Sequence, residues 1–314
     1  MEHSLEEEQW ELLLERIQDG QCTPFLGAGA CFGSLPLGSD VAREWSARFH
    51  YPLKDSSDLA RVAQYLAVKA DPMFPKQDIL KRLKAKTPPD FHAPDEPHGI
   101  LADLPLPVYI TTNYDDFMVR ALQSRGKHPR QELCRWNKDD KTREKYDSLP
   151  SIFESPDGSD IDPDNPVVFH LHGHSGLAES LVLTEDDYLD FLVSISRRQR
   201  DLLPPRIQEA MKGTTLLFLG YKLADWDFRV LFRSLVNMGR SSGYAHVSVQ
   251  LITGGDVKSE QDMEKAQQYL DGYFEGQGKI RVYWGSCRKF AAELKKRWEA
   301  YAKENSAEFS VTNP

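Results

Sequence analysis

Apolar residues recur at helical intervals at the start of the chain and then gather into short continuous runs. From Leu5 to Ile17, leucine and isoleucine alternate with acidic and polar residues at helical spacing, which predicts an amphipathic N-terminal helix. The next apolar run, TPFLGAGA, ends in glycines and precedes SDVAREWSARFH, a helical pattern for which we expect Ser39 or Asp40 to be the N-cap. This region predicts a strand, a tight loop and a helix.

Further apolar runs predict the strands of a sheet. The runs PVYITTNY, PVVFHLHG and TTLLFLGY end at glycine or polar residues, as buried parallel strands do. Downstream, WDFRVLFRSLV is helical, and VSVQLIT, MEKAQQYLDGYF, KIRVYWG and RKFAAELKKRWEAYAK alternate strand and helix patterns. The alternation predicts an α/β fold, with a Rossmann-like parallel sheet flanked by helices and joined by right-handed crossovers.

Two segments interrupt this alternation. Residues 52–98 have a polar, helical pattern with several prolines, which predicts a helical insert. Residues 137–166 are rich in aspartate, serine and proline and predict a long surface loop. We therefore expect one domain over residues 1–314 that contains both segments. No repeat of fixed period is present, which argues against a solenoid.

Composition and charge narrow the classes of function. The chain has 314 residues, 40% of them hydrophobic, enough for a sizeable core. A net charge of −9 opposes the broad basic surface that non-specific nucleic-acid binding needs, so we expect no direct contact with nucleic acid. No apolar run approaches the roughly 20 residues of a membrane helix, and the four cysteines form no C-x-x-C pair. These features predict a cytoplasmic protein with reduced thiols and no membrane association.

The predicted strand ends carry the residues that bear chemistry. Gly27-Ala28-Gly29 follows a strand and precedes a helix, where glycines let the backbone approach a phosphate. Phe32 stands where a third glycine of the nucleotide motif would be, so a simple tight turn is the alternative. Gly220 and Tyr221 end another strand and are candidates for nucleotide contact, while the acids that follow them also suit the start of a helix.

Asparagine and aspartate mark a third strand end. Thr111-Thr112-Asn113-Tyr114-Asp115 lies at the carboxyl end of a predicted strand, the edge at which open α/β sheets place their ligands. The alternative is that Asn113 or Asp115 caps the next helix, DDFMVRALQS.

Histidine occupies every second position in His170-Leu171-His172-Gly173-His174. All three imidazoles would share one face if the strand extended that far. Such an arrangement suits a metal such as zinc, whereas a single neutral imidazole suits a general base. A third interpretation is one buried structural histidine and two exposed ones.

The motifs together resemble those of a known family. Gly27-Ala28-Gly29, Thr111 to Asp115 and Leu171-His172-Gly173 resemble the NAD+-binding motifs of sirtuins in order and approximate separation. The stretches LTEDDY and LGYKLADWDFR resemble more specifically the sirtuin-like domains of bacterial antiviral defence systems. The resemblance covers nearly the whole chain. It implies NAD+ phosphates against Gly27, Ala28 and Gly29, the nicotinamide ribose held by Asn113 and Asp115, and His172 beside Gly173 as the catalytic base.

The chain departs from the protein deacetylases of that family. It has neither their four-cysteine zinc module nor their Pro-Asp-Phe-Arg segment, in whose place it reads SLPLGSDVAREW. Water is therefore the expected acceptor, and the resemblance implies an NAD+ hydrolase that releases nicotinamide and ADP-ribose without a metal. It also implies a defence effector that depletes NAD+ on phage infection, in a homo-oligomer or beside a HerA-like ATPase or Argonaute-type partner.

Three alternatives stay open from the sequence. The first is a non-catalytic sensor of NAD+ or ADP-ribose, or an assembly subunit, which would bind nucleotide whether or not His172 is present. The second is a metal-dependent hydrolase built on His170, His172 and His174. The third is a true deacylase, which the departures above disfavour.

Overall fold

The computed structural model describes residues 5–137, 139–154, 161–221, 230, 245–251 and 259–311. Within these ranges the centre of the fold is a parallel sheet, and the predicted Rossmann-like α/β class is confirmed. Its strands are β1 (Cys22–Leu26), β2 (Val108–Thr111), β3 (Arg130–Leu133), β4 (Val167–His170), β5 (Thr215–Leu219), β6 (His246–Gln250) and β7 (Ile280–Trp284), in the order β3-β4-β2-β1-β5-β6-β7.

Helices flank the sheet. Those of the described ranges are α1 (Glu7–Gln18), α2 (Gly38–Phe49), α3 (Leu59–Lys69), α4 (Phe74–Lys84), α5 (Pro97–Ala102), α6 (Phe117–Ser124), α7 (Asp140–Asp147), α8 (Glu185–Leu202), α9 (Pro205–Gly213), α10 (Glu260–Gly278) and α11 (Cys287–Val311). None of the helices in these ranges is both long and apolar enough to span a bilayer.

The inner strands are buried on both faces, which explains their continuous apolar runs. Every residue of β1, β2, β4 and β5 is buried. Successive residues of β1 enter different apolar clusters, because side chains of a strand alternate between faces: Phe25 packs on one side of the sheet and Leu26 on the other. Trp10 of α1 joins the second cluster and stacks on Phe290 at 5.3 Å between ring centroids.

The strand order places a crevice beside β1. The chain runs from β1 to β2 on one side and later returns to β5 on the other side of β1. Leu26, the last residue of β1, pairs with Thr111 of β2 and Leu219 of β5, so the loops after these strands leave from one edge. Open α/β sheets bind ligands at such a switch point.

Two local predictions differ from the structure. Neither Ser39 nor Asp40 caps α2, because the helix begins at Gly38 and Leu37 is its N-cap residue. The Leu37 carbonyl accepts the first hydrogen bonds, from Asp40 and Val41 backbone N–H groups. Strand β3 was not predicted, since its sequence RQEL is mostly polar at the edge of the sheet. The predicted helix WDFRVLFRSLV falls almost entirely outside the described residues.

Helices α2, α3 and α4 pack together, and we call them the helical module. Helices α3 and α4 fall inside the predicted insert at 52–98, but α2 precedes it and shares its apolar cluster. The cluster includes Trp45 of α2, Leu66 of α3 and Ile79 of α4. The helical packing therefore begins earlier in the chain than the composition indicates.

The segment predicted as a surface loop, 137–166, holds a helix. Helix α7 begins after Asp139, whose side chain accepts a hydrogen bond from the Thr142 backbone N–H. Tyr146 and Ile161 of this segment are buried against the rest of the fold. So few apolar residues leave little helical periodicity in the sequence, which is why the pattern indicated a loop.

Candidate active site

A cleft of about 1240 Å³ opens at the carboxyl edge of the sheet. Its walls are the loops after β1, β2 and β5, the first turns of α8, the start of α11, and the helical module. The sequence-predicted site residues that line it are Ala28, Gly29, Asn113, Asp115, His172, Gly220 and Tyr221. The structure thus brings residues that lie up to 193 positions apart into one cleft.

Gly27 and Gly173 are not among the described residues that line the cleft. The Gly27 N–H donates to the Leu219 carbonyl at 2.8 Å, which ties the loop after β1 to β5. Gly173 has φ of +80°, and a Cβ there would lie 2.2 Å from the Ser180 carbonyl oxygen. A Cβ on Gly27 would lie 2.8 Å from the Gly220 carbonyl oxygen, so both glycines have a structural reason to be glycine, and their direct contact with a ligand stays a prediction.

The loops after β1 and β5 meet backbone to backbone. Gly29 N–H donates to the Gly220 carbonyl at 3.0 Å. Gly220 has φ of +82°, and a Cβ there would lie 2.3 Å from the Ala30 backbone nitrogen. This approach is closer than any side chain allows, so the two loops meet through backbone alone at the cleft, as glycine loops do where they approach a phosphate.

We expect Gly220→Ala to destabilise the protein by about 2 kcal/mol or more, because it adds backbone strain and a steric clash. Urea unfolding at neutral pH measures the change. The matched control is Gly213→Ala at the end of α9, where a Cβ would meet no atom within 4 Å. Equal stability of the two variants would contradict the close approach of the loops.

Asn113 is held by its side-chain amide. Its Nδ2 donates to the Gly27 carbonyl at 3.1 Å and approaches Cys31 Sγ at 3.3 Å. The Gly27 carbonyl can only accept, so this bond fixes which end of the amide points to it. The backbone N–H of Asn113 donates to Thr111 Oγ1 at 2.9 Å. The amide is therefore preorganised, and Oδ1 has no partner among the described residues.

Tyr221 braces the same strand ends. Its hydroxyl lies 2.7 Å from both Thr112 Oγ1 and the Leu26 carbonyl oxygen. Its ring packs against Phe25 with centroids 5.5 Å apart. Tyr221 thus links the ends of β1 and β2 to the loop after β5.

Asp115 serves the start of α6 as well as the cleft. Its Oδ1 accepts from the Phe117 backbone N–H at 3.0 Å, a turn just before α6, whose N-cap residue is Asp116 and neither Asn113 nor Asp115. The Cys31 thiol donates to Oδ2 at 3.5 Å. Burial raises the pKa of Asp115 and raises that of Cys31 well above its usual range. At neutral pH Cys31 is therefore a thiol and a poor nucleophile.

A buried acid and base lie behind Cys31, and the sequence reasoning missed them. His98 Nδ1 is 2.7 Å from Glu96 Oε1, and the Gly99 N–H donates to Glu96 Oε2 at 2.6 Å. Burial acts to raise the Glu96 pKa, but the hydrogen bond and charge of His98 outweigh it and lower the pKa. His98 Nε2 lies 3.8 Å from Cys31 Sγ. No periodic pattern in the proline-rich segment around these residues marks them in advance.

His172 lies in an apolar environment on the cleft wall. Its ring packs edge-on against Phe191 and Tyr188, with centroids 4.8 and 5.5 Å apart, and the residue is 8% exposed. Burial lowers its pKa to about 3. The imidazole is therefore neutral at pH 7, and its side chain has no hydrogen-bond partner among the described residues. The neutral form is the one that can accept a proton, and the same burial that keeps it neutral makes it a weaker base than an exposed histidine.

The three alternate histidines do not share one face. Strand β4 ends at His170, whose Nδ1 lies 3.3 Å from the Asn113 carbonyl oxygen and whose ring packs against His174. His172 packs separately on residues of α8. Across the part of the chain that the structure describes, no group of three histidine, cysteine or acidic side chains converges in metal-binding geometry.

Comparison with known proteins points to one family. The sequence model of the family described as the SIR2-like domain matches residues 107–273. The protein named NAD(+) hydrolase ThsA from Acinetobacter baumannii is 23% identical over 272 residues, which are 82% of this chain and 48% of that protein. The protein of the same name from Cytobacillus dafuensis is 25% identical over 229 residues, 72% of this chain and 40% of that protein. The chain thus spans less than half the length of these relatives.

Proposed function

Because the chain belongs to the SIR2-like domain family, we propose that it hydrolyses NAD+ to nicotinamide and ADP-ribose. One observation carries the proposal: Asn113 and His172, at the ends of adjacent strands β2 and β4, line the same cleft as the backbone contact between Gly29 and Gly220. The cleft therefore combines a surface suited to phosphates, a fixed amide and a neutral base.

The chemistry needs positioning more than acid catalysis. The bond that breaks joins ribose C1′ to a cationic pyridinium nitrogen, and the electron pair leaves with nicotinamide, which departs neutral. The ribose passes through an oxocarbenium-like state, as in other glycoside cleavages. Water then forms the new C1′–O bond and gives up a proton. No protonated group is required for departure, which suits a cleft whose histidine is neutral.

Asn113 and His172 have different roles in the attack of water. Asn113 orients the ribose hydroxyls or the attacking water through its Oδ1, since its Nδ2 is bound to the Gly27 carbonyl. His172 accepts the proton from the water or the hydroxyl network. Asp115 supports the nicotinamide end, while the backbone of Ala28, Gly29 and Gly220 meets the phosphates, with Tyr221 bracing that loop.

The biological role proposed with this activity is an antiviral effector. A chain that depletes NAD+ on phage infection has to be gated, and a homo-oligomer or a partner, such as a HerA-like ATPase or an Argonaute-type protein, would supply the gate. The support is the resemblance of the motifs to sirtuin-like defence domains.

The test is nicotinamide release from NAD+, measured by chromatography, with the purified full chain alone and with the product of the adjacent gene. We expect release by the unmodified protein and its loss in both Asn113→Ala and His172→Ala variants. Activity that survives both substitutions would contradict the mechanism. If NAD+ binds without release in every condition, the chain is a sensor or an assembly subunit instead.

A further inference from the structure

The LTEDDY stretch, residues 183–188, connects the helical module to the cleft. Helix α8 begins inside it with three consecutive acidic residues. Each of them contacts a different residue of the helical module. The contacts are Arg61 Nε to Glu185 at 3.3 Å, Gln64 Nε2 to Asp186 at 2.8 Å and Lys76 Nζ to Asp187 at 2.8 Å.

The contact between Lys76 and Asp187 differs from the others in burial. The two side chains are 7% and 13% exposed, whereas those of Arg61 and Glu185 are 51% and 47% exposed. A charge that loses its partner inside a protein is strongly destabilised, while an exposed ion pair contributes little. Of the three polar contacts, the buried pair is therefore the one whose loss would most weaken the attachment of the module to α8, which the apolar packing of Leu183 in the module's cluster also supports.

Asp187 also fixes the chain that leads into α8. Its Oδ2 accepts from the Leu183 and Thr184 backbone N–H groups at 3.1 and 2.9 Å. In return, Thr184 Oγ1 accepts from the Asp187 N–H at 3.1 Å. This reciprocal arrangement is a capping box, which sets the direction in which the helix starts. One carboxylate thus determines both the start of α8 and the position of the module.

The same segment contacts the proposed base from its other side. Tyr188 lines the cleft and packs edge-on against His172. Val182, the residue just before this stretch, donates its N–H to the His172 carbonyl oxygen at 3.1 Å. The module also contributes Leu59 and Ile79 to the lining of the cleft. Movement of the module relative to α8 would change the shape of the cleft and the packing of His172 together.

We propose that Lys76 and Asp187 are positioning residues of the reaction. Their ion pair holds the helical module against the start of α8, and it thereby fixes the shape of the cleft that both elements line and the contact between Tyr188 and His172. Neither residue is among those lining the cleft, so both act through other residues. The expected effect on kcat/KM rests on the proposed NAD+ hydrolysis. The expected effect on the position of the module rests on the fold alone.

The kinetic test compares Lys76→Met with Arg61→Gln in the full chain. Lys76→Met keeps the length and apolar stem of the side chain and removes its charge. We expect kcat/KM for NAD+ to fall about 10-fold or more, mainly through a higher KM, since a misplaced wall weakens binding before it stops chemistry. Arg61→Gln removes an exposed contact of the same interface and should leave kcat/KM within about 2-fold. Lys76→Arg, which keeps the charge, should recover part of the loss.

Hydrogen exchange tests whether the ion pair holds the module against α8, and this measurement does not depend on NAD+ hydrolysis. Lys76→Met should speed amide exchange in α4 and at the start of α8, while exchange in β1 and β5 stays unchanged. If Lys76→Met unfolds the chain, Asp187→Asn serves instead, because it removes the charge and keeps an oxygen for the Leu183 and Thr184 N–H groups. Unchanged exchange, or faster exchange with unchanged kinetics, would overturn the proposal.

The outcomes separate the two proposals. A protein that binds NAD+ without cleaving it would end the proposed function. The positioning role would still stand if Lys76→Met then weakens NAD+ binding, measured by calorimetry, and speeds exchange in α4. Active wild-type protein with equal kcat/KM in Lys76→Met and Arg61→Gln would instead support hydrolysis and overturn the positioning role.

Discussion

Replacement of His172 by phenylalanine is expected to lower kcat for nicotinamide release by about 10²-fold or more, while the affinity for NAD+ changes little. The surroundings of His172 allow this substitution to remove the ring nitrogens with little change in packing. The imidazole packs between aromatic rings, Tyr188 and Phe191, and has no hydrogen-bond partner among the described residues. A phenyl ring can retain those contacts, so the loss reports on the ring nitrogens rather than on packing.

Steady-state release of nicotinamide gives kcat, and calorimetric titration with NAD+ gives the affinity. His174→Gln is the matched control, because His174 is close in the chain but is not among the residues that line the cleft. It should retain kcat within about 3-fold, since it takes no part in positioning or proton transfer. Wild-type kcat in His172→Phe would eliminate His172 as the base, whereas a large loss of thermal stability would show that the ring nitrogens have a structural role.

The strand ends could be predicted from the sequence because burial in the sheet requires the same apolar runs that mark the strands locally. Four strands of the described ranges are buried on both faces: β1, β2, β4 and β5. Each therefore consists of a continuous apolar run, and the polar or glycine residues that follow mark its end in the sequence. Parallel strands deliver those ends to one edge, so Asn113, His172 and Gly220 meet although they are distant in the chain. The resemblance to sirtuins implied what each of these residues does, whereas the strand pattern predicted that they lie close together.

Features set by tertiary contact could not be predicted in this way. The sequence RQEL of β3 carries little strand pattern, and its pairing with β4 is what makes it a strand. Leu37 caps α2 with backbone alone, so no side-chain signal exists. Glu96 and His98 pair locally, two residues apart, but their burial behind Cys31 is a tertiary contact that no local pattern reveals. The partner that makes β3 a strand is likewise remote in sequence, whereas the cap of α2 is local but uses no side chain.

The same burial that keeps His172 neutral predicts a loss of stability in mild acid. Burial lowers the pKa of His170 and His172 to about 3 and that of His246 to about 4. In the unfolded chain each would bind a proton near pH 6.5. Below that pH the unfolded state binds more protons than the folded state, so the free energy of unfolding falls as the pH falls.

From pH 7.5 to pH 5.5, three such histidines should lower the free energy of unfolding by about 4 kcal/mol. Urea unfolding at the two pH values measures the difference. His246→Asn isolates one contribution, because the asparagine oxygen can accept the Leu216 N–H that His246 Nδ1 accepts at 3.0 Å, and it does not titrate. The variant should show a pH difference smaller by about 1.4 kcal/mol.

The comparison with His246→Asn is needed because other groups titrate in the same protein. Asp115, whose pKa burial raises, acts in the opposite sense, since a carboxyl with a raised pKa favours the folded state as the pH falls. Both proteins carry that contribution, so it cancels between them. An identical pH difference in wild type and variant would mean that His246 has the same pKa in the folded and unfolded states, and the burial argument applied to His172 would then lose its support.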